Sequence, residues 1–230
     1  MSQQNIMNLI AELKFITTFA LKPSNVTHMS GRTLLLPTPY AIKMALTDRA
    51  IVRYGYEKSK EIFPAIRDLN ISWSGPSVIG VTQITERGYR LGKSSTKEQV
   101  KIQEYCTYSG SFYLAFENYE QHIQDDLVQF ITMLFHLGRS SSVVNCEFLY
   151  VEVVVANQQW LNLGVPVDYA QAPRGIVQRM DDMKDNITLD DVSTYKFESR
   201  AQTRLQYDIV IPYKMAHASR NFVGYERIYS

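Results

Sequence analysis

The residues best suited to hold a charged ligand lie between positions 86 and 101. Arg87, Arg90, Lys93, Lys97 and Lys101 share one polar run, with Tyr89 among them and only Glu86 and Glu98 opposing. Cations at this density neutralise phosphates and release counterions, and an aromatic ring gives an unpaired base a surface to stack on. The same composition also suits a solvated hairpin tip, because lysine, serine, threonine and glycine are ordinary loop residues. A second group is Gly138-Arg139-Ser140-Ser141-Ser142. Small residues there allow close backbone approach, exposed N–H groups could meet phosphate, and Arg139 could add a bidentate contact. A helix end followed by a polar turn is the plainer account of the same residues. Arg32 in a long loop, and Arg49 with Arg53 on one predicted helix, complete the set with Ser140 and Ser141.

Other chemistries find less support. His28, His122, His136 and His217 are scattered without metal-ligand spacing. A Gly-x-Ser-x-Gly elbow, a Walker phosphate loop and a dinucleotide glycine fingerprint are absent. No catalytic residue, metal ligand or cofactor is assigned. Asp181, Asp182, Asp185, Asp190 and Asp191 have no companion His or Cys, and read as a solvated loop or a protein-partner surface.

Composition sets the frame. The chain has 230 residues, 45% apolar and 20% charged, enough to bury a substantial core. Its formal charge of +1 steers little, so binding to a polyanion must come from local clustering. Cys106 and Cys146 are the only cysteines and support neither a disulfide framework nor a thiolate metal site; they read as reduced, buried thiols. The first residues are Gln/Asn-rich without a basic region and apolar core, and no apolar run approaches the roughly 20 residues that span a bilayer. The expectation is a soluble, intracellular protein.

The elements that must position these side chains follow from periodicity. A half-buried strand is expected at 12–21, a loop at 22–36, and a helix at 39–54 with Thr38 as N-cap, Pro39 at the first turn and Gly55 as its stop. A second helix is expected at 57–69. Stretches 77–85 and 101–116 read as strands of a long antiparallel hairpin whose tip is 86–100. Positions 121–137 carry Ile123, Leu127, Phe130, Ile131 and Leu134 on one helical face, with Gly138 as a left-handed stop. The β-branched run 143–156 reads as a central strand covered on both faces. The order β, α, β, β, α, β predicts an α+β, ferredoxin-like βαββαβ domain over 1–156, with one sheet face under two helices and the other free. Residues 157–230 are expected to form a β-rich C-terminal extension packed on it, with strands near 205–211 and 221–229.

The run Leu35-Leu36-Pro37-Thr38-Pro39-Tyr40-Ala41-Ile42-Lys43-Met44-Ala45-Leu46, with Phe135-His136-Leu137-Gly138-Arg139-Ser140 later, resembles the CRISPR-associated protein family five of the RAMP superfamily over about 12–156. That resemblance implies an RRM-type ferredoxin-like fold with a β-hairpin thumb at about 86–101. It also implies a non-catalytic subunit that caps one end of a type I, Cascade-like complex in the prokaryotic cytoplasm and holds the 5′ handle of crRNA. Its partners would be crRNA, the backbone and large subunits and, indirectly, target DNA, with no membrane. Two alternatives remain open. Some relatives cleave precursor crRNA without metal through Tyr, Lys and His, which would make the chain an endoribonuclease. A structural adaptor subunit with little RNA contact is the other.

Overall fold

The computed structural model describes residues 7–24, 31–91, 96–117, 119, 121–153, 161–162, 174–192 and 203–228. Along the chain run β1 (Met7–Phe15), α1 (Pro39–Tyr54), α2 (Tyr56–Arg67), β2 (Asn70–Ser74), β3 (Val78–Leu91), β4 (Thr96–Ser109), β5 (Phe112–Glu117), α3 (Gln124–Thr132), β6 (Val144–Val153), β7 (Leu161–Asn162), β8 (Ile176–Met183), α4 (Leu189–Val192), β9 (Arg204–Ile211), β10 (Tyr213–Ala218) and β11 (Phe222–Arg227). The chain is an α+β protein with antiparallel sheets. The first has the order β6-β1-β5-β2-β7, the second β10-β11-β3-β4, and β8 pairs with β9.

Local signals place α1 where expected. The Thr38 hydroxyl accepts the Ala41 N–H at 3.2 Å, and Pro39 occupies the first turn, where a missing N–H costs nothing. Ile42, Leu46 and Ala50 are fully buried at helical spacing. Gly55, at φ 79°, closes α1 through its N–H to the Ile51 carbonyl. The loop before α1 is clamped from far away. Buried Gln178 of β8 accepts the Leu35 N–H at 2.8 Å and donates to the Leu36 carbonyl at 3.2 Å, and the Trp73 indole donates to the Pro37 carbonyl at 3.0 Å.

Several expectations need correction. The first strand begins at Met7 and ends at Phe15, because Leu9, Ala11 and Leu13 supply the buried alternation. Ile16 points to solvent, and the Thr17 hydroxyl is taken by the Ser141 carbonyl at 2.6 Å. The hairpin expected from 77–85 and 101–116 forms, as β3 and β4, but the inner strands of the first sheet are β2 and β5. Five-residue β2 is too short to show a period, yet its Trp73 is fully buried. β3 and β4 form a hairpin of 14-residue strands that belongs to the second sheet. The helix expected to 137 stops at Thr132, capped at Met133, so Gly138 is not its stop.

The strand expected at the centre of the sheet is an edge. β6 pairs with β1 alone among the described residues, and Phe148 is 66% exposed. β-Branched and aromatic composition marks a strand; it does not say how many neighbours the strand has. Nor is the second face of this sheet left open at its centre. Ile10 and Ala115 sit directly opposite each other on that face, and both are fully buried, with Asn8 and Ser72 nearby.

Part of the acidic stretch is engaged internally, whereas Asp185 and Asp191 are exposed. Asp181 binds Arg204 at 2.6 Å and Ser24 at 2.8 Å. Asp182 meets Lys43 of α1 at 2.7 Å, joining β8 to the helix. Asp190 accepts the Tyr56 hydroxyl at 2.7 Å, and Asp191 accepts the Thr188 N–H at 2.8 Å. Asp182 and Asp190 pin the C-terminal segment to the helical layer. The two cysteines differ. Cys106 is fully buried, its thiol pushed up to about 12 by burial, whereas Cys146 is half-buried.

Candidate nucleic-acid interface

The β3–β4 hairpin is supported only at its base. β11 pairs with β3 over Val78–Thr82, and a last bond runs from the Gln83 N–H to the Asn221 carbonyl at 2.8 Å. On the other edge, Phe19 bridges Cys106, and the Glu104 N–H reaches the Gly31 carbonyl at 2.7 Å. Beyond these points the two strands continue to Leu91 and Thr96 with no third strand among the described residues. At about 3.4 Å per residue the arm extends roughly 25 Å. Ile84, Arg87, Val100, Lys101 and Ile102 are exposed along it. A two-stranded ribbon has little stability of its own in water, and apolar exposure of this kind suits an arm laid against something else.

Register divides the cationic run. Glu86 sits opposite Lys101, Arg87 opposite Val100, Tyr89 opposite Glu98 and Arg90 opposite Lys97. Strand alternation therefore puts Arg87 and Lys101 on opposite faces of the arm. Lys93 lies outside the described residues.

At the root, the turn from Gly138 to Ser142 is tied to the segment after β1. The Arg139 N–H donates to the Ala20 carbonyl at 3.0 Å, the Ser142 hydroxyl accepts the Ala20 N–H at 3.0 Å, and the Ser142 N–H closes the turn on the Arg139 carbonyl at 2.9 Å. The Arg139 guanidinium reaches back to Gln103 at 2.7 Å and to the Tyr105 hydroxyl at 3.5 Å. Tyr105 in turn donates to Glu86. That hydrogen bond, then burial, raises the Tyr105 hydroxyl above its ordinary value, so it stays a proton donor at neutral pH. Lys101, Gln103 and Tyr105 alternate onto one face of β4, so Arg139 continues the face that carries Lys101. Arg32 stands exposed beside Gly31, near enough to Tyr225 for its charge to oppose the rise that burial imposes there. Ser140 and Ser141 are exposed on the turn. Arg49 and Arg53 belong instead to α1, the first held by Asp48 and the second 5.1 Å over the Tyr54 ring.

Gly138 earns its place here. Its φ is 92°, and a Cβ would lie 2.8 Å from the Ala20 carbonyl oxygen. Left-handed backbone costs a substituted residue about 1–2 kcal/mol before the clash is counted. At about 2–4 °C per kcal/mol for a chain of this size, Gly138→Ala should lower the melting temperature by about 5 °C. Differential scanning calorimetry checks this, and an unchanged melting temperature would contradict it.

Sequence reasoning missed a cleft of about 540 Å³ onto which the start of α1 and the turn at Gly138 both open. Thr38, Tyr40 and Ala41 line it from the start of α1, His136 and Gly138 from the later turn, and Lys22, Asp48, Asp181 and Arg204 supply charge. Arg204 lies 3.8 Å over the Tyr40 ring. These residues come from segments as far apart as Lys22 and Arg204, and no local pattern joins them. Among the described residues, no group of three or more His, Cys, Asp or Glu could hold a metal ion, and no helix is long and apolar enough to cross a membrane.

No family model matches the sequence, and no curated protein matches it. Among solved structures, the fold is similar to a chain in the cryo-EM structure of the type III-B Cmr-beta bound to cognate target RNA. Identity is 15% and the TM-score 0.47, over 64% of this chain and 61% of that one, so the chain spans about three fifths of that relative's length. It is also similar to a CRISPR protein from Archaeoglobus fulgidus, at 10% identity and a TM-score of 0.44, over 96% and 92% of the two chains.

Proposed function

We propose that this chain is an RNA-gripping subunit of a CRISPR complex that caps one end of a type I, Cascade-like assembly and holds the 5′ handle of crRNA without cleaving it. The observation that carries this reading is the projecting β3–β4 arm, which carries exposed Arg87 and Lys101 and is continued at its root by Arg139. Single-stranded RNA is held in this way, by cations on the phosphates and by aromatic or backbone groups on splayed bases. The order β6-β1-β5-β2, with every neighbour antiparallel, supports a ferredoxin-like core carrying the arm as a thumb. Residues 157–230 would then be an extension of a domain spanning 1–156. Backbone and large subunits would be the neighbours, and target DNA would be met through the guide.

The exposed Ile84, Val100 and Ile102 favour a second reading, in which the arm is covered by a neighbouring protein and the chain is an adaptor. The full chain should be mixed with repeat RNA and with an unrelated RNA of equal length, in EDTA, and resolved by native and denaturing gels. The expected result is preferential retention of repeat RNA, recovered intact. Site-specific cleavage would show a metal-independent endoribonuclease instead, and equal retention of both RNAs would remove the handle from the proposal.

A further inference from the structure

The outer margin of the first sheet has a chemistry opposite to that of the arm. β6 ends this sheet, and beyond Val144, whose N–H donates to the Phe135 carbonyl at 3.0 Å, its outer main-chain edge pairs with no strand among the described residues. Edge strands are usually blunted by lysine, by proline or by brevity. β6 runs for ten residues with neither lysine nor proline, and only one irregularity interrupts its pairing with β1, where Glu12 faces Phe148 and Leu13 faces Cys146. That step leaves Glu147 as the extra residue, and beyond it the strand lies in register to its end.

The side chains along this edge are aromatic and acidic. Phe148 and Tyr150 share the face of Glu12, with Glu152 one alternation further, and Val151 is exposed on the other face. Across β1, Tyr113 is hydrogen-bonded to Glu12. Burial, then Glu152 and Glu12, raises the Tyr150 hydroxyl, and Glu147 and Glu12 add to the burial that raises the Cys146 thiol. Lys14 is the nearest described cation in the ladder, and it lies beyond the irregularity, opposite Asn145. Three carboxylates around exposed rings repel a phosphate backbone. They suit an extended polypeptide whose main chain continues the sheet and whose side chains alternate between apolar and cationic.

We propose that the β6 edge is a protein-docking surface that takes up an extended, lysine- or arginine-bearing segment of a neighbouring protein by strand addition, with Phe148, Tyr150 and Val151 as apolar contacts and Glu12, Glu147 and Glu152 as charge partners. This surface is separate from the arm and does not depend on what the arm binds.

The test uses the full chain and two synthetic peptides of about ten residues, enough to pair along the whole of β6, one alternating valine with lysine and one alternating valine with glutamate. Fluorescence anisotropy gives affinity, and hydrogen exchange shows where the peptide sits. The lysine peptide should bind saturably and slow exchange across β6, and the glutamate peptide should not. Glu147→Lys with Glu152→Lys should weaken the lysine peptide roughly tenfold or more, as loss of two facing charges does. Phe148→Ser should weaken it as well, with its thermal melt and RNA retention unchanged. Protection outside β6, or no saturable binding, would overturn the proposal. So would a dimer in sedimentation that Phe148→Ser dissolves, which would mark the face as self-associating. Loss of RNA retention in a folded Phe148→Ser variant would assign the strand to RNA and overturn it too.

Discussion

Lys43→Ala is expected to destabilise the fold by about 3 kcal/mol, near the lower end of what breaking a buried ion pair costs. Lys43 lies inside α1 with 3% of its side chain exposed, and its ammonium meets Asp182 at 2.7 Å, where the carboxylate retains 23% exposure. Burial pushes the Asp182 carboxyl up, and Lys43 and the Met183 N–H oppose that rise without cancelling it. The pair is therefore a lock whose halves need each other more than the fold needs the pair. Lys43→Met combined with Asp182→Leu should recover most of the loss, since a well-packed apolar replacement avoids two desolvated charges. Urea unfolding of the two single variants and the double variant measures the coupling, and additive losses would contradict it. The pH dependence has a definite sign. Without Lys43 the folded Asp182 binds its proton still more tightly than the unfolded chain does. The deficit of Lys43→Ala should therefore shrink as pH falls below the raised folded value and grow as pH rises through it.

Charge reversal at the tip of the arm should have the largest effect on function. Arg90 and Lys97 lie beyond the last bonds that tie the hairpin to the body, and Lys93 falls between them in sequence, so replacing all three with glutamate should leave the melting temperature nearly unchanged. Each phosphate contact on single-stranded RNA contributes about 0.7 to the slope of log affinity against log salt. Losing three should make the slope shallower by about two and lower affinity between one and two decades near physiological salt. Filter binding across a salt series reads both quantities. An adaptor whose arm is covered by protein predicts no change in either. Arg139→Glu is a harsher version of the same test, because it also removes the partner of Gln103 and Tyr105.

How far each feature could be read from the sequence depends on the range of the interactions behind it. Thr38, Pro39 and Gly55 act within one helical turn, and their roles were legible. Gly138 announced a left-handed turn but not its purpose; the carbonyl it must approach belongs to Ala20. The cationic run was visible as composition, whereas its division between two faces follows from a register that only the paired strand sets. Strand 143–156 was read as central because its residues favour β structure, and whether such a strand has one neighbour or two is decided by chain that folds elsewhere. Part of the acidic stretch misled for the same reason: Lys43 and Arg204, which pair with Asp182 and Asp181, and Tyr56, which donates to Asp190, are remote in sequence.

By itself, then, the sequence determined the α+β character, the start of the first helix and a cationic hairpin, because capping geometry, periodicity and local charge density act over a few residues. Tertiary structure alone decided that the hairpin projects as an arm rooted on Arg139, that Lys22, Tyr40, His136 and Arg204 share a cleft, and that β6 is an acidic edge. Each of these depends on strand pairing and ion pairs between segments far apart in the chain, which form only when the whole core is assembled.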